Sequence, residues 1–442
     1  MTVARPGVGG KMRGLALHGG PPVRATAFPA WPVFDESDVA AVADVVRSGE
    51  WGRIGGHRVV AFEQAFAAFQ GATYCLGLNS GGSALQIALQ ALRLPRGAEV
   101  IVSPYTYAAS ATEILNAGLV PVFVDMDPDT YNLDPERIEG AITTRTAAIM
   151  PVHFGGLACD MGAIMAIAAR HGLRVIEDAA HAHGATWLHR GLGTIGDAGC
   201  FSFQASKNLN AGEGGAILTN DATLFERAID YHDLWAGGML LRGGARGLGS
   251  TRVTPAWDFP YAAASRRLTT FQAALLSRQL ARVEEQTQRR IANAQHLTRL
   301  LSDIPGLTPR REDAFATRTS HHLFITRYEP AEFAGLSVDR FIEAMKAEGV
   351  PLSAGYRRAL HHTALFRNVE GELTRVWPRA TGKPDLDYTT VACPEAERAC
   401  AGRTIWISQN LLLDSPRGME QIVEAVEKVR AHAPALAADG GS

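Results

Sequence analysis

The stretch FSFQASKNLNAGEGGAILTN, residues 201–220, places a single lysine, Lys207, between two apolar runs. A glycine-rich turn, residues 212–215, separates this lysine from the second run. A lysine between two buried strands is costly unless it is paired, or held as a neutral amine or imine. The pattern therefore predicts that Lys207 takes part in chemistry.

A carboxylate stands in a matching position upstream, because Asp178 ends the apolar run of RVIEDAAHAHGA, residues 174–185. A lysine can form a Schiff base with an aldehyde and, once released, act as a general base. An aspartate against a pyridine nitrogen keeps it protonated, so that the ring acts as an electron sink. Asp178 and Lys207 together therefore predict a pyridoxal 5'-phosphate (PLP) site. Either residue alone is better interpreted as a helix cap or a surface turn.

The order of apolar runs around this pair predicts an α/β fold. From Thr73 onward, near-continuous apolar runs alternate with helical segments, which is typical of a mostly parallel sheet covered by helices on both faces. Ligands of such sheets bind beyond the carboxyl ends of the strands. Ser80, Tyr107, Asp178 and Lys207 all fall at such ends.

A phosphate group needs an anion cradle, and the best candidate is the turn formed by residues 80–83. Backbone N–H groups at a helix N-terminus bind anions, so Gly81, Gly82 and Ser83 are predicted phosphate contacts. Ser202, five residues before the lysine, adds a hydroxyl. The turn lacks the GKS/T of a P-loop, so a nucleotide-binding domain is the weaker interpretation.

Two further side chains are predicted to contact the cofactor ring. Tyr107 lies just past its strand and is placed to stack on the ring face. His181 follows Asp178 by three residues and is placed to approach the phenolic oxygen.

The histidines also allow a metal interpretation, which the spacing does not favour. Asp178, His181 and His183 could act as ligands, but no further acidic or histidine partner has clear spacing. The histidine pairs at residues 321–322 and 361–362 are predicted to be loop residues. No metal site is therefore predicted.

Composition excludes several other classes of protein. The 442 residues are 46% hydrophobic and 20% charged, as in ordinary globular proteins. A net charge of −2 gives no electrostatic reason to expect binding to nucleic acid or to a membrane surface. The N-terminal residues lack an apolar signal, and no apolar run approaches the length of a membrane span, so we expect a soluble cytoplasmic protein. The five cysteines lack metal-ligand spacing and are predicted to be buried free thiols.

The chain is long enough for more than one domain. We predict a disordered lead over residues 1–14, and an N-terminal segment with a large PLP-binding domain over 15–285. A smaller α+β domain over 286–431 and a tail over 432–442 complete the prediction. A long helix from about Thr270 to Leu301 is predicted to connect the domains.

Taken together, the motifs resemble the DegT/StrS family of PLP-dependent aminotransferases, which have the aspartate aminotransferase fold (fold type I). The resemblance runs from about residue 15 to 430 and is carried by GGPPVR, NSGGSALQIAL, SPYTYAAS, PVHFGGLACDM, VIEDAAHAHGA, FSFQASKNLNAGEGGAILT and FQAALLSRQL. It implies that Lys207 carries the cofactor and that Asp178 binds its pyridine nitrogen. It also implies that His181 lies near the phenolic oxygen, Tyr107 stacks on the ring, and Ser202 helps to hold the phosphate.

Two positions depart from the family pattern, and two others are candidate substrate contacts. Gly82 stands where the family usually has a threonine, so one phosphate hydroxyl is missing. Ser265 stands where an asparagine usually reaches the phosphate of the neighbouring subunit in a homodimer with shared active sites. Trp51 and Tyr356 are predicted substrate-binding residues.

The resemblance implies an enzyme that moves an amino group from L-glutamine or L-glutamate to a keto-cyclitol or keto-sugar. Such reactions occur in aminocyclitol, aminoglycoside and related secondary-metabolite (antibiotic) biosynthesis. The alternatives are an aromatising enzyme like 3-amino-5-hydroxybenzoate synthase, a nucleotide-keto-sugar aminotransferase, and a regulator that keeps the fold without the activity. Intact Asp178 and Lys207 argue against the regulator.

Overall fold

The computed structural model describes residues 14–54, 57–232, 263–367 and 387–439, which form two sheets with helices packed around them. The larger sheet has seven strands in the order β1-β9-β8-β5-β4-β2-β3. From β8 to β3 all neighbours are parallel, whereas β9 is antiparallel to both β8 and β1. The prediction of a mostly parallel central sheet is confirmed. Its strands are Tyr74–Leu78 (β1), Glu99–Val102 (β2), Val120–Phe123 (β3), Thr146–Met150 (β4), Arg174–Asp178 (β5), Ala198–Ser202 (β8) and Gly215–Thr219 (β9).

The second sheet is antiparallel, with the order β10-β11-β13-β12, and a short hairpin of β6 and β7 lies apart from both sheets. Their strands are Thr186–Trp187 (β6), Arg190–Gly191 (β7), Leu307–Pro309 (β10), Leu323–Tyr328 (β11), Ser353–Ala354 (β12) and Thr404–Ser408 (β13). The α-helices of the described residues are Glu36–Ser48 (α1), Arg58–Gln70 (α2), Gly81–Leu92 (α3), Ala109–Asn116 (α4), Met161–His171 (α5), Ala222–His232 (α6), Thr270–Leu301 (α7), Val338–Ala347 (α8), Ala364–Arg367 (α9), Pro394–Cys400 (α10), Pro416–Ala431 (α11) and Ala433–Asp439 (α12).

The two faces of the large sheet each carry a hydrophobic core. Val100 and Val102 of β2 belong to the core that includes Leu85 of α3. Ile101, which points the other way because side chains alternate along a strand, belongs to the core that includes Ile164 of α5. Burial on both faces explains why these strands are continuously apolar in sequence. All five cysteines are free and buried, as predicted.

A third core joins the small sheet to α8 and α11, and it also takes in residues from near the N-terminus. Leu15 and Phe28 pack in this core with Phe341 and Val426. Residues within 359–366 and 388–400, by contrast, contribute to the first core beside the large sheet. Residues near the N-terminus thus pack in the core of the small sheet, and residues of the predicted small domain pack beside the large sheet. The domain boundary near residue 285 stays a prediction.

Helix α7 is the long helix that the sequence predicted from about Thr270 to Leu301, and its N-terminus is fixed by side-chain hydrogen bonds. Thr269 caps the helix by accepting a hydrogen bond from Gln272 N–H at 3.3 Å, while the Gln272 side chain accepts one from Thr269 N–H at 2.9 Å. This reciprocal capping box satisfies two N–H groups that a helix N-terminus leaves free.

The terminal prediction of a tail over 432–442 needs correction. Residues 433–439 form α12, whose Ala433 and Leu436 are buried in the third core. The prediction failed because the sequence APALAAD is too poor in large apolar residues to show a pattern, although alanine and leucine are strong helix formers. Residues 1–13 of the predicted lead and residues 440–442 lie outside the described residues.

We expect Leu436→Ala to lower the free energy of unfolding by about 2–5 kcal/mol, because it removes a fully buried side chain and leaves a cavity. Leu188→Ala is the matched control, since Leu188 is 51% exposed. It should change stability by no more than about 0.5 kcal/mol. Urea unfolding followed by tryptophan fluorescence measures both changes, and equal stabilities for the two variants would contradict a structural role for α12.

Candidate active site

A cavity of about 900 Å³ opens beyond the carboxyl ends of the parallel strands. Parallel strands place their carboxyl ends at one edge of the sheet, so residues far apart in sequence meet there. The cavity brings together most of the predicted site residues, namely Gly81, Gly82, Tyr107, Asp178, His181, Ser202, Lys207 and Tyr356.

Lys207 and Asp178 share the inner wall of this cavity. Burial lowers the pKa of the Lys207 ammonium to about 8, and the attraction of Asp178 only partly opposes that shift. Burial raises the pKa of Asp178, and this rise is opposed by hydrogen bonds and by the charge of Lys207. The site therefore holds a lysine that loses its proton easily beside a carboxylate at the base of the cavity.

The Asp178 carboxylate is held in place by two hydrogen bonds. Ser110 Oγ donates to Oδ2 at 2.8 Å, and Ala180 N–H donates to Oδ1 at 3.2 Å. Thr106 Oγ1 lies 2.9 Å from Ser110 Oγ and extends this network. The sequence reasoning missed Ser110, because it lies within α4 and only the folded chain brings that helix to β5.

Glu177, the residue before Asp178, anchors the strand end from the opposite face of the sheet. Its carboxylate accepts three backbone hydrogen bonds, from the N–H groups of Gly193, Ile195 and Gly196 at 2.7–2.8 Å. The fourth partner is His153 Nε2 at 2.9 Å. Burial alone would raise the pKa of Glu177, but these hydrogen bonds bring it below its usual value. A fully buried, ionised glutamate thus fixes the backbone that carries Asp178.

The glycine turn forms the N-terminus of α3, as an anion cradle requires. Ser80 caps the helix by accepting from Ser83 N–H at 3.1 Å, so Ser83 serves the cap and does not line the cavity. A Cβ atom at Gly81 would lie 2.7 Å from the Cβ of Ser202, so only glycine allows the helix to approach β8 this closely. The free N–H groups and the Ser202 hydroxyl at this end fit a phosphate group.

His181 and His322 lie against each other at the cavity wall, with ring centroids 4.2 Å apart. His181 Nδ1 accepts from Gly155 N–H at 3.1 Å, so its ring proton lies on Nε2. Burial, with the Lys207 charge adding to it, holds the pKa of both imidazoles well below the usual value. Both rings are therefore neutral.

The tautomer of His322 is the opposite one. Asn208 Nδ2 donates to Ser320 O at 2.8 Å, so Asn208 Oδ1 is free to accept from His322 Nδ1–H at 3.1 Å. This leaves His322 Nε2 as an acceptor. The pair thus offers one donor, on His181, and one acceptor, on His322.

His183 has a different environment and does not share a site with His181. Its ring is fully buried among Phe66, Phe201 and Phe203, with ring centroids 5.5–6.4 Å away. Burial lowers its pKa to about 3. The pair His361 and His362 lies in a short 3-10 turn, where the two Nε2 atoms are 3.0 and 3.4 Å from one oxygen of Glu397.

Besides Ser83, two further predicted residues, Trp51 and Ser265, lie outside the cavity of their own chain. Trp51 is 54% exposed and packs on Phe271, with ring centroids 5.9 Å apart. Ser265 is exposed, and its hydroxyl accepts from Arg267 Nη2 at 3.1 Å. Their predicted roles in binding stay predictions.

The cavity also contains side chains that the sequence did not single out. Trp31 lines it and donates from Nε1 to Ala205 O at 2.8 Å, close to Lys207 in sequence. Glu113 and Trp406 line it as well, and Trp406 packs edge-to-face on Tyr356 at 4.9 Å. No local pattern marks these residues, because each reaches the cavity from a separate element.

Among the described residues, no helix is long and apolar enough to cross a membrane. A family model described as the DegT/DnrJ/EryC1/StrS aminotransferase family matches residues 32–382. The chain belongs to this family. This DegT/StrS family member is therefore a PLP-dependent aminotransferase of fold type I, as the resemblance implied.

Individual relatives cover nearly the whole chain. L-glutamine:2-deoxy-scyllo-inosose aminotransferase of Micromonospora echinospora is 36% identical over 425 residues, which span 95% of this chain and 98% of the relative. 3-Amino-5-hydroxybenzoate synthase of Amycolatopsis mediterranei is 34% identical over 414 residues, which span 93% of this chain and 99% of the relative. The crystal structure of 3-amino-5-hydroxybenzoic acid synthase has a TM-score of 0.78 at 34% identity and covers 91% of this chain and 100% of that one.

We expect the rate at which PLP attaches covalently to the cofactor-free aminotransferase to depend on pH through Lys207. Only the neutral amine attacks, so the rate should rise about tenfold per pH unit below pH 8 and level off above it. Stopped-flow absorbance of the lysine-bound cofactor measures the rate, with Lys207→Arg as the control that forms no such species. A rate that still climbs steeply beyond pH 9.5 would show an unshifted lysine.

Proposed function

We propose that this aminotransferase moves an amino group from L-glutamine to a keto-cyclitol, in a pathway to an aminocyclitol or a related secondary metabolite. The observation that carries the proposal is the near-complete coverage of a relative named for that donor and that class of acceptor. The cavity adds support, because its polar side chains suit a neutral, hydroxyl-rich ring.

PLP, when bound, supplies an aldehyde that reacts with amines and a ring that accepts electrons. Asp178, fixed by Ser110 and by the anchored strand end, is proposed to bind the pyridine nitrogen and to keep it protonated. The N–H groups at the start of α3 and the Ser202 hydroxyl are proposed to hold the phosphate. His181 Nε2–H is proposed to donate to the phenolic oxygen, and Tyr107 to stack on the ring.

Lys207 is proposed to hold the cofactor at rest and to move protons once the amino-acid donor has displaced it. With a pKa of about 8, the amine exists in both its protonated and its unprotonated form near pH 7–8. A general base that gains and loses protons at this pH requires such a balance. Tyr356 and Trp406 also line the cavity and pack edge-to-face on each other. The two half-reactions share one site, so ping-pong kinetics are expected.

The charges at the cavity favour a cyclitol over a nucleotide-linked sugar. Among the described residues that line it, Lys207 is the only lysine or arginine, whereas Glu113, Asp178 and Glu213 are acidic. A nucleotide diphosphate carries at least two negative charges and is usually bound by arginines or helix N-termini. A keto-cyclitol carries no charge and needs only hydrogen-bonding partners such as His322 Nε2.

We test the function by following both half-reactions. L-Glutamine should convert the PLP form to the pyridoxamine phosphate form, and 2-deoxy-scyllo-inosose should restore it, with the amino-cyclitol identified by mass spectrometry. Lys207→Ala should lower turnover by about 10³-fold or more, because it removes both the attachment point and the proton carrier. A cofactor form that L-glutamine and L-glutamate leave unchanged would overturn the proposal.

The second candidate function, an aromatising synthase, is favoured by one observation: a 3-amino-5-hydroxybenzoate synthase is nearly as similar over a similar length. The two functions differ in their product. An aminodehydroquinate-type substrate would yield an aromatic product with strong ultraviolet absorbance in the synthase, whereas the aminotransferase should leave it unaromatised. The same lysine would serve the dehydration, so the Lys207 variant does not separate the two.

We also propose that the enzyme is a homodimer whose partner completes the site. Val39 and Val46 are exposed on one face of α1, and Phe34 and Trp51 are exposed beside them at 68% and 54%. Such an apolar surface is typical of an interface. The donor carboxylate also lacks an arginine among the described lining residues, so a second subunit is expected to supply one.

Light scattering after size exclusion should give twice the 47.3 kDa chain mass. Phe34→Glu should weaken the association by about 100-fold or more, because it places a charge in an apolar interface. Leu188→Glu, on an exposed leucine in the turn between β6 and β7, is the control and should stay dimeric. Equal dissociation of the two variants, or a wild-type monomer, would contradict the proposed interface.

A further inference from the structure

Gly82 stands in the predicted phosphate cradle where the family usually has a threonine. A side chain from another helix occupies the space beside it. A Cβ atom at Gly82 would lie 3.2 Å from Glu113 Oε1, a tighter approach than side chains normally make. Gly82 and Glu113 both line the cavity. The carboxyl group of α4 therefore occupies the space into which a threonine at position 82 would project.

The surroundings of Glu113 favour the protonated form of its carboxyl group more than water does. Burial raises its pKa, and the hydrogen bond from Asn116 and the charge of Arg266 oppose the rise only in part. Asn116 Nδ2 donates to Oε2 at 3.0 Å, which leaves Oε1 on the side of Gly82 and the cradle. Among the described residues, Arg266 is the charged group whose electrostatic attraction lowers the pKa of this carboxyl.

The backbone of Arg266 contacts the segment that leads into the cradle. Its carbonyl accepts from Asn79 N–H at 3.0 Å, immediately before the capping residue Ser80. Its Nη1 is buried without a hydrogen-bond partner among the described residues. Burying such a donor unpaired is costly, so an anion within its reach would be stabilised.

We propose that Glu113, in its protonated form, replaces the missing threonine hydroxyl as a hydrogen-bond donor to the cofactor phosphate, and that Gly82 is needed to leave it room. This inference rests on the proposed placement of the phosphate at the N-terminus of α3. An ionised carboxylate there would repel the phosphate, whereas a carboxylic acid donates an O–H group to it.

The proposal couples cofactor binding to a proton. The phosphate adds negative charge beside Glu113, so binding raises the pKa of its carboxyl further and takes up a proton wherever the free enzyme has lost it. The affinity for phosphate-bearing ligand is therefore full while Glu113 is protonated in the free enzyme, and it falls as pH rises above that pKa. Arg266 stays charged over this range and works in the opposite sense, by favouring the carboxylate.

The test measures binding of pyridoxamine 5'-phosphate to the cofactor-free enzyme, because this ligand forms no bond to Lys207. Dissociation constants are determined by fluorescence titration from pH 5.5 to 9. Glu113→Ala should weaken binding about tenfold at low pH, since it removes one hydrogen bond to a charged group. Glu113→Gln keeps a neutral donor, so it should bind like wild type at low pH and more tightly than wild type at high pH.

The steric conflict between a side chain at position 82 and Glu113 is tested with single and double variants. Gly82→Thr alone should weaken binding, because the new side chain meets Glu113. Gly82→Thr in the Glu113→Ala background should restore binding towards wild type. Glu285→Gln, an exposed glutamate on α7 that is ion-paired only with Arg289 among the described residues, is the charge-matched control and should change nothing.

Pyridoxamine without the phosphate separates the possible failures. If it binds wild type as tightly as the phosphate ester does, the proposed phosphate placement is wrong. If the ester binds far better but Glu113→Ala and Glu113→Gln bind it as wild type does at every pH, the placement holds and the role of Glu113 is excluded. Tighter binding by Glu113→Ala at every pH would show that Glu113 only repels the phosphate, which would also overturn the inference.

Discussion

The structure depends on placing Lys207 and Asp178, two groups of opposite charge, at the inner wall of one cavity. Burying either alone would cost several kcal/mol, and their mutual attraction offsets only part of that cost. The remainder appears as shifted proton affinities: the lysine loses its proton more easily and the aspartate less easily than in water. The scaffold around these two residues has to be rigid, because a relaxation that admitted water would return both pKa values to their usual range.

The rigidity comes from the end of β5. Asp178 hydrogen-bonds on one side to Ser110 of α4, while Glu177 on the other side takes three backbone N–H groups and His153. A buried glutamate is tolerable only because every lone pair is matched by a donor. The alternation of side chains along a strand thus places the Asp178 carboxylate in the cavity and the Glu177 carboxylate on the opposite face.

At one position of the same cavity, Gly82, this chain departs from the threonine that the family resemblance predicts. Gly82 removes a side chain from the cradle, and Glu113 brings a different polar group to the same space from α4. Close packing explains why the two residues have to be considered as a pair, since a side chain at one position excludes the other. His181 and His322 also place polar groups at the cavity wall. Because they are neutral and have opposite tautomers, they provide one hydrogen-bond donor and one acceptor without adding a charge.

The sequence by itself determined the α/β class, the alternation of apolar strands with helices from Thr73 onward, the long helix α7 and the candidate pair Asp178 and Lys207. These features are written in local patterns: apolar runs, glycine turns and caps depend on residues close together in the chain. Only the tertiary structure placed Ser110, Trp31 and His322 in the cavity, buried Leu436 of α12, and put Glu113 against Gly82. Contacts of this kind join elements that are distant in sequence, and their partners are fixed by packing, which leaves no periodic signal for a single chain to show.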